Sequence, residues 1–303
     1  MDANMHDAVI IGGSYAGLNA AMPLARARRR VLVIDDRRPR NRFASHAHGV
    51  MGRDGVAGSE IAAEARAQVA AYPTAVFRSG EAVDIRPVDR GFEVRLADGS
   101  TALGRRVVLA SGVQDATPDL PGVKERWGRT VLHCPYCHGY EVGGGPIGVL
   151  GSGPMSVHQA GLIADWGQTI LLAEGLSFSP DDEAMLARRG VTIERTRVAA
   201  LEGPGATLDG ARLTDGRLVP LKAIFIGARV SLTGCLADRL GCELEETPMG
   251  MLIRTDMMKQ TSVPGVFAAG DAARAMSNVT FAAADGMMAG IALHRSLVEE
   301  DAA

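Results

Sequence analysis

Residues 131–154 read VLHCPYCHGYEVGGGPIGVLGSGP, and this stretch decides how the rest of the chain is interpreted. A Cys-x-x-Cys pair, Cys134 and Cys137, precedes the apolar run PIGVLG and a glycine-rich turn. A buried strand that leads into such a turn and then into a helix is typical of a dinucleotide-binding unit. The order therefore suggests that electrons pass between a dinucleotide and a disulfide.

The residues after this strand fit a nucleotide-binding turn. Gly151 and Gly153 take the fingerprint positions, and Ser156 stands where a last glycine or alanine is usual. The following strand, TILLAEG, ends in Glu174, 23 residues after Gly151. A carboxylate at that point accepts hydrogen bonds from a ribose and repels a 2′-phosphate, which favours NADH over NADPH. A complete loss of nicotinamide binding stays open.

A first copy of the same pattern stands near the N-terminus. The strand AVII leads into GGSYAG, in which Gly12 allows the tight turn, Ser14 replaces the middle glycine and Gly17 permits close packing of helix on strand. The strand VLVID ends in Asp35, 23 residues after Gly12, where a carboxylate can bind a ribose. The helix N-terminus offers backbone N–H groups to a pyrophosphate. We therefore predict dinucleotide binding here rather than a plain structural turn.

Two further segments extend this predicted site. Residues 41–55, NRFASHAHGVMGRDG, start with Asn41 and lack clear periodicity, so they are interpreted as a loop over the ligand. The strand RRVVLASG ends in Ser111 and Gly112. Doubly wound sheets bind ligands at the carboxyl ends of their strands, so these residues join the predicted cofactor contacts.

Length and composition limit the classes of protein. The chain has 303 residues, of which 47% are hydrophobic and 22% charged, and its formal net charge is -3. The mixed charges give no basic face for nucleic acid. No apolar stretch approaches the roughly 20 residues of a membrane helix. The opening MDANMHD carries no apolar leader, so we expect a cytoplasmic protein that binds no membrane.

The order of the motifs predicts an α/β fold. The linker DATPDLPGV at 115–123 marks a domain boundary, and a long apolar helical run over 280–297 ends the chain. We expect two Rossmann-like domains of the three-layer ββα type, with the second inserted in the first. The first domain is assigned to residues 1–117 and 244–303, and the second, which carries the cysteine pair, to 118–243.

Taken together, these motifs resemble the thioredoxin reductase family of flavoprotein disulfide oxidoreductases. The resemblance rests on GGSYAG, Asp35, the cysteine pair before GSGPMS, and SVPGVFAAGDAA before the last helix, and it covers essentially the whole chain. It implies FAD on the first domain, with Gly270 and Asp271 among its contacts, and NADH or NADPH on the inserted domain. It also implies a homodimer.

Within that family, HCPYCHGYE is most similar to the branch that contains the FAD-dependent dithiol oxidases of disulfide natural products such as gliotoxin and holomycin. Ordinary thioredoxin reductases carry an aspartate where His138 stands and a basic run that is absent after Glu174. In addition, AMSNVTFAAADG at 275–286 replaces their Arg-Gln-Ala segment. By this resemblance Cys137 would face the flavin, and Cys134 would exchange with the substrate.

The cysteine pair needs a group that moves protons. A thiolate attacks a disulfide, and a cysteine with a reference pKa of about 8.5 is mostly protonated at neutral pH. His138 follows Cys137 directly, and with a reference pKa of about 6.5 it can act as base and then as acid. We therefore predict Cys134, Cys137 and His138 as the catalytic residues. His133 and Glu141 are further candidates for relaying protons.

Other interpretations of these residues stay open. CPYCH also fits c-type haem attachment, which requires export, and a zinc site, which would need a second ligand pair. CPYC is also found in glutaredoxins, and a structural disulfide is a further alternative. His46 and His48 stand two apart, but no carboxylate or cysteine accompanies them at ligand spacing, so no metal is predicted. Contacts to the cofactor ring, or proton handling beside it, are preferred.

The preferred function is an FAD-dependent enzyme that interconverts a dithiol and a disulfide, on a small molecule or a protein. The first alternative is a thioredoxin reductase driven by NAD(P)H. The second is a flavin-binding redox sensor with little turnover.

Overall fold

The computed structural model describes residues 5–303, so the first four residues of the predicted first domain lie outside the described part. The described residues form two compact units, each built from separate chain segments. Unit 1 takes in the described residues up to Arg42, Val50–Gln114 and Val230–Ala303, and unit 2 takes in Phe43–Gly49 and Asp115–Arg229.

The secondary structure alternates strands and helices along most of the chain. In the described part the strands are β1 Met5–Ile11, β2 Val31–Asp35, β3 Ala75–Ser79, β4 Ala82–Val88, β5 Gly91–Leu96, β6 Thr101–Leu109, β7 Val113–Ala116, β8 Val131–Leu132, β9 Pro146–Leu150, β10 Gln168–Leu172, β11 Thr192–Glu194, β12 Val198–Glu202, β13 Gly210–Leu213, β14 Leu218–Pro220, β15 Ala223–Ile226, β16 Arg229–Leu232, β17 Leu244–Thr247, β18 Gly250–Ile253 and β19 Val266–Ala268. The α-helices are α1 Tyr15–Arg26, α2 Gly58–Ala70, α3 Val123–Arg126, α4 Pro135–Val142, α5 Met155–Ile163, α6 Pro180–Arg188, α7 Leu236–Leu240 and α8 Val279–Asp301.

The main sheet of unit 1 has the order β3-β2-β1-β6-β5-β4, and β19 pairs with the last part of β6. Strands β1, β2, β3, β6 and β19 are parallel, whereas β4 and β5 continue the sheet antiparallel. Ile11 is in register with Ile34 and Leu109, and Leu109 with Ala268. The loops that follow β1, β2, β6 and β19 therefore leave the sheet at one edge.

Both faces of this parallel sheet are covered, which explains why its strands are continuous apolar runs. Ile10 and Val33 pack with residues of α1 and α8 on one face. Ile11 and Ile34 pack on the other face with residues of β5 and α7. Successive side chains of a strand point to opposite faces, so one short apolar segment supplies two cores.

Helix α8 lies unusually close to α1 because two glycines remove the side chains between them. A Cβ atom on Gly286 would overlap the carbonyl oxygen of Ala16, and one on Gly290 would overlap that of Ala20. Directly before Gly286, buried Asp285 pairs with the guanidinium of Arg274 at 2.6 Å. The long C-terminal helix is thus fixed by backbone approach as well as by apolar burial.

Unit 2 contains a parallel sheet with the order β11-β10-β9-β15-β8 and a separate antiparallel sheet, β12-β13-β14. Leu150 is in register with Leu172 and Ile226, and Phe225 with Leu132. Strands β8, β9, β10 and β15 therefore end at one edge of the sheet. The residues that follow β8 and those that follow β9 leave the sheet on the same side.

A four-stranded sheet with the order β17-β18-β16-β7 includes two of the four positions at which the chain passes from one unit to the other, Gln114/Asp115 and Arg229/Val230. The predicted domain bounds, 1–117 with 244–303 and 118–243, stay a prediction from the sequence. The assignment of each domain to a cofactor stays a prediction.

The predicted α/β class with two Rossmann-like domains is confirmed by the two parallel sheets and the helices that join their strands. The sequence did not indicate β4 or the helix α4 that carries Cys137. No helix in residues 5–303 combines the length and the apolar character that crossing a bilayer requires.

We expect Gly286→Ala to lower the free energy of unfolding by about 1–3 kcal/mol, because the new methyl group forces α8 away from the Ala16 carbonyl. Gly161→Ala in α5 is the control, since its methyl group would meet only the flexible end of Met185, at 3.1 Å. Urea unfolding of the purified protein measures both. Equal losses in the two variants would contradict the close helix approach.

Candidate active site

The first glycine turn closes tightly between β1 and α1. Gly12 has a φ of 107°, and a Cβ atom there would overlap the carbonyl oxygen of Ala110. A Cβ atom on Gly17 would overlap the carbonyl oxygen of Gly12. Ser14 is the N-cap of α1 and makes no side-chain capping bond. The N–H groups of the first helical turn are therefore available to an anionic group, as a pyrophosphate site requires.

Asp35 lies against this turn at the end of β2. A Cβ atom on Gly13 would be 2.7 Å from the Asp35 Cβ. The backbone N–H of Arg37 donates to one carboxylate oxygen at 3.1 Å, and Arg66 donates to the other at 3.4 Å. An ionised carboxylate has about four acceptor sites. Asp35 therefore keeps the capacity to accept hydrogen bonds from a ribose.

The other predicted cofactor contacts of unit 1 lie in hydrogen-bonded loops. The amide of Asn41 donates to the hydroxyl of Tyr15 at 3.2 Å. The hydroxyl of Ser111 donates to the carbonyl of Thr233 at 3.4 Å, and Gly112 has a φ of 70° with open space where a Cβ would stand.

Gly270 and Asp271 begin the 3₁₀ helix Gly270–Ala273 after β19. Gly270 has a φ of 73°, and a Cβ there would be 2.8 Å from the Cβ of Ala16. The Asp271 carboxylate pairs with Arg40 at 2.9 Å. The strand order thus brings Gly12, Asp35, Ser111 and Gly270 to one edge of the main sheet.

The second glycine turn follows β9 in unit 2. A Cβ atom on Gly151 would be 2.6 Å from the carbonyl oxygen of Ala173, whereas Gly153 faces open space. The hydroxyl of Ser156 accepts a hydrogen bond from the Ser152 N–H at 2.9 Å and closes the turn onto α5. The strand–turn–helix geometry of a nucleotide site is thus present here as well.

Glu174 follows β10 with a φ of 51°, and it accepts a hydrogen bond from the backbone N–H of Val198 at 2.7 Å. The guanidinium of Arg197 lies against Gly175, the residue that follows Glu174. A Cβ atom on Gly175 would be 2.9 Å from Nη2 of Arg197. Sequence reasoning missed Arg197 because it follows β11 rather than β10. An arginine near this position is a means of binding a 2′-phosphate.

The cysteine pair lies where β8 passes into α4. Cys134 is the N-cap of α4, in extended conformation, and Cys137 lies in the first helical turn. Both side chains are half-buried. Unpaired N–H groups and the helix dipole favour negative charge at this end of a helix. The site therefore suits a thiolate.

Helix α4 is held by Trp166. A Cβ atom on Gly139 would be 2.8 Å from the indole ring, so only glycine lets the helix backbone lie directly against it. The ring of Tyr136 meets the same indole edge-on, with 5.7 Å between the ring centroids. Before the helix, the ring of His133 stacks on the ring of Trp127, with 6.0 Å between the ring centroids.

His138 is half-buried next to Cys137. Burial lowers the pKa of His138 from its ordinary value, the nearby charge of Glu141 opposes this by raising it, and His48 lowers it further. His48 Nε2 lies 3.3 Å from a carboxylate oxygen of Glu141. At neutral pH the imidazole of His138 is thus uncharged and able to accept a proton.

The contact between His48 and Glu141 joins the histidine-rich loop to helix α4 within unit 2. Glu141 was a candidate from sequence, but nothing in the local spacing connects it with His48. In the described part of the chain, no three or more His, Cys, Asp or Glu side chains gather as metal ligands.

The family model described as pyridine nucleotide-disulphide oxidoreductase matches residues 6–286. A relative from Claviceps purpurea (strain 20.1), thioredoxin reductase tcpT, is 36% identical over 304 residues, which is 95% of this chain and 93% of the relative. An oxidoreductase from Agrobacterium tumefaciens is similar in structure, with a TM-score of 0.93, 44% identity, and coverage of 97% of this chain and 99% of that one. The crystal structure of HlmI gives a TM-score of 0.93 at 40% identity and covers 100% of this chain and 95% of that one.

These similarities confirm the family resemblance and, with it, the predicted FAD, since thioredoxin reductase-like members of this family use FAD with NAD(P)H. The glycine turn at Gly12 and the helix N-terminus after it fit that cofactor. The chain therefore belongs to the pyridine nucleotide-disulphide oxidoreductase family and is a thioredoxin reductase-like, FAD-dependent oxidoreductase.

Proposed function

We propose that this enzyme interconverts a dithiol and a disulfide through Cys134 and Cys137, with His138 as the acid–base group. The observation that carries the proposal is the start of α4. Two cysteines share its first turn, and a histidine that is uncharged at neutral pH follows the second. This combination supports thiol–disulfide exchange more directly than a structural role.

The cysteine pair supplies the exchange. A disulfide between residues three apart closes a small ring, so it forms and opens within one helical turn. A substrate thiolate attacks Cys134, the released Cys137 thiolate stays at the helix N-terminus, and the second substrate thiol then displaces Cys134. The substrate leaves as a disulfide, and the enzyme keeps two electrons on its cysteines.

His138 handles the protons of this exchange. A substrate dithiol brings two protons that must leave before its sulfur atoms can attack. The uncharged imidazole of His138 accepts one of them, and Glu141 stabilises the resulting imidazolium, since its charge raises the pKa of His138. The contact with His48 keeps the Glu141 carboxylate on this side of α4.

FAD, when bound, accepts the two electrons from the reduced cysteines. We propose that the turn at Gly12, Ser14 and Gly17 receives its pyrophosphate, since a side chain at either glycine would collide with backbone. Asp35 would bind a ribose. The ion pair between Asp271 and Arg40 would hold the loop after β19 in its binding conformation.

A second candidate function is that of a thioredoxin reductase driven by a pyridine nucleotide. It is favoured by the intact turn at Gly151 and by the exposed Arg197 next to Gly175, which offers a cation for a 2′-phosphate. The carboxylate of Glu174 favours NADH, whereas the guanidinium of Arg197 favours NADPH. The expected cytoplasmic location and the homodimer stay predictions from the sequence.

Anaerobic stopped-flow absorbance with NADH, NADPH and dithiothreitol tests the proposal. We expect dithiothreitol to bleach the flavin within seconds and admitted oxygen to restore its colour, because electrons enter through the cysteines. Bleaching by a nicotinamide with turnover of thioredoxin would establish the second function instead. A redox sensor with little turnover would sustain neither the oxidation of dithiothreitol nor the reduction of thioredoxin.

Substitution of each cysteine separates their roles. We expect Cys134→Ser to strengthen a long-wavelength charge-transfer absorbance, because Cys137 then stays as a thiolate beside the flavin. Cys137→Ser should abolish that band, and both variants should lose turnover. Cys235→Ser is the control, because this exposed cysteine lies at the start of α7, remote in sequence from the pair. The opposite spectral pattern would exchange the two assignments.

The pH dependence of kcat/KM tests His138. Only the uncharged imidazole accepts a proton, and burial lowers its pKa, so we expect the acidic limb to have its midpoint below about 6.5. Glu141→Gln removes the charge that raises this pKa, so the midpoint should move to still lower pH. His138→Ala should slow turnover by about 100-fold or more and remove the limb.

The control for this pH profile is His158→Ala, since His158 is an exposed histidine of α5. This substitution should leave kcat/KM and the acidic limb of its pH profile unchanged. An acidic limb that persists in His138→Ala would show that another group titrates.

A further inference from the structure

We propose that a pocket beside α4 binds the carboxylate of a small dithiol or disulfide substrate, with Arg129 as the anchor for that carboxylate. The inference rests on the proposed function and adds the class of substrate. It predicts a ligand with one negative charge at a short distance from its sulfur atoms.

The pocket lies within unit 2 and has a volume of about 180 Å³. Its walls come from the histidine-rich loop, from the segment before β8 and from α4, and they include His46, His48, Arg129, His138 and Glu141. A cavity of about 150 Å³ holds a benzene ring. The pocket therefore admits one end of a small molecule rather than a segment of folded protein.

Two contacts hold the loop in place over this pocket. Gly128 has a φ of 73°, and a Cβ there would be 2.6 Å from the Cβ of Phe43, so the loop packs directly on the backbone before Arg129. On the opposite wall, His48 pairs with Glu141. The pocket is thus built from contacts between separated segments.

Helical spacing relates the pocket to the reacting sulfur atoms. Cys137 and Glu141 are four residues apart on α4, and His138 lies on the helix four residues after the N-cap Cys134. Residues four apart lie on one face of a helix, with about 5–6 Å between their Cβ atoms. A group bound against Glu141 and His138 therefore lies about one helical turn from the cysteines.

The charges of the lining favour a single negative charge. Arg129 is exposed and always protonated, and it has no ion pair within residues 5–303. The one carboxylate of the lining, on Glu141, faces His48. Arg129 thus remains to attract an anion, while Glu141 disfavours a phosphate dianion. A guanidinium matches a carboxylate in geometry as well as in charge.

The reaction balances for such a substrate. The dithiol loses two electrons and two protons and becomes a disulfide, and the Cys134–Cys137 disulfide is reduced to two thiols. FAD, when bound, would accept these two electrons, and dioxygen, as the proposed acceptor, would be reduced to hydrogen peroxide. The bound carboxylate takes no part in the transfer and only positions the sulfur atoms.

Dihydrolipoate and dihydrolipoamide are matched probes, because they differ only in a carboxylate against a neutral amide. With the FAD-loaded enzyme we expect kcat/KM to be about two- to fivefold higher for the acid, the effect of one accessible ion pair. Arg129→Gln should lower kcat/KM for the acid to the value for the amide, and it should leave kcat/KM for the amide unchanged. Higher salt should reduce the preference of the unaltered enzyme.

Lys124→Gln is the matched control, since it removes an exposed positive charge from α3 without touching the pocket. It should keep the preference for the acid. An equal loss in Lys124→Gln and Arg129→Gln, or equal rates for acid and amide in the unaltered enzyme, would overturn the inference.

Calorimetric binding of lipoate and lipoamide separates this inference from the proposed function. Arg129-dependent preference for lipoate without turnover of either dithiol would support the pocket and refute the dithiol oxidation. Turnover of both dithiols without any preference in rate or in binding would refute the pocket and leave the oxidation intact. Failure of lipoate to bind would likewise refute the pocket.

Discussion

The contact between Gly139 and Trp166 is the constraint on which the reactive part of the molecule depends. Any side chain at Gly139 would collide with the indole, so α4 lies with its backbone directly on the ring. The helix carries Cys137, His138 and Glu141, and its N-cap is Cys134. One packing contact therefore positions the two cysteines, His138 and Glu141 together.

The balance of charges around His138 follows from this position. Burial disfavours the imidazolium, the carboxylate of Glu141 favours it, and His48 disfavours it again. These opposed influences fit the acid–base role that we propose for His138. The same carboxylate lines the neighbouring pocket, so the acid–base role and the substrate site that we propose would share a side chain.

The two units use the same strand–turn–helix unit with different surroundings. In unit 1 the carboxylate of Asp35 is met by Arg66 and keeps acceptor capacity towards the glycine turn. In unit 2 Glu174 accepts a bond from Val198, and Arg197 lies beside the following glycine. Similar local sequence thus gives similar backbone, whereas groups from other segments of the chain give each turn different surroundings.

The sequence by itself determined both glycine turns, the apolar strands before them, the cysteine pair and the family, because tight turns and buried strands depend on a few consecutive residues. It did not determine that His48 meets Glu141 or that Arg40 meets Asp271, 231 residues away. Nor did it determine that Arg129 lines a pocket with His48 and Glu141. Only the tertiary structure decided these contacts. Long side chains from distant segments meet when sheets and loops pack, and no spacing or periodicity in the chain records which of them will meet.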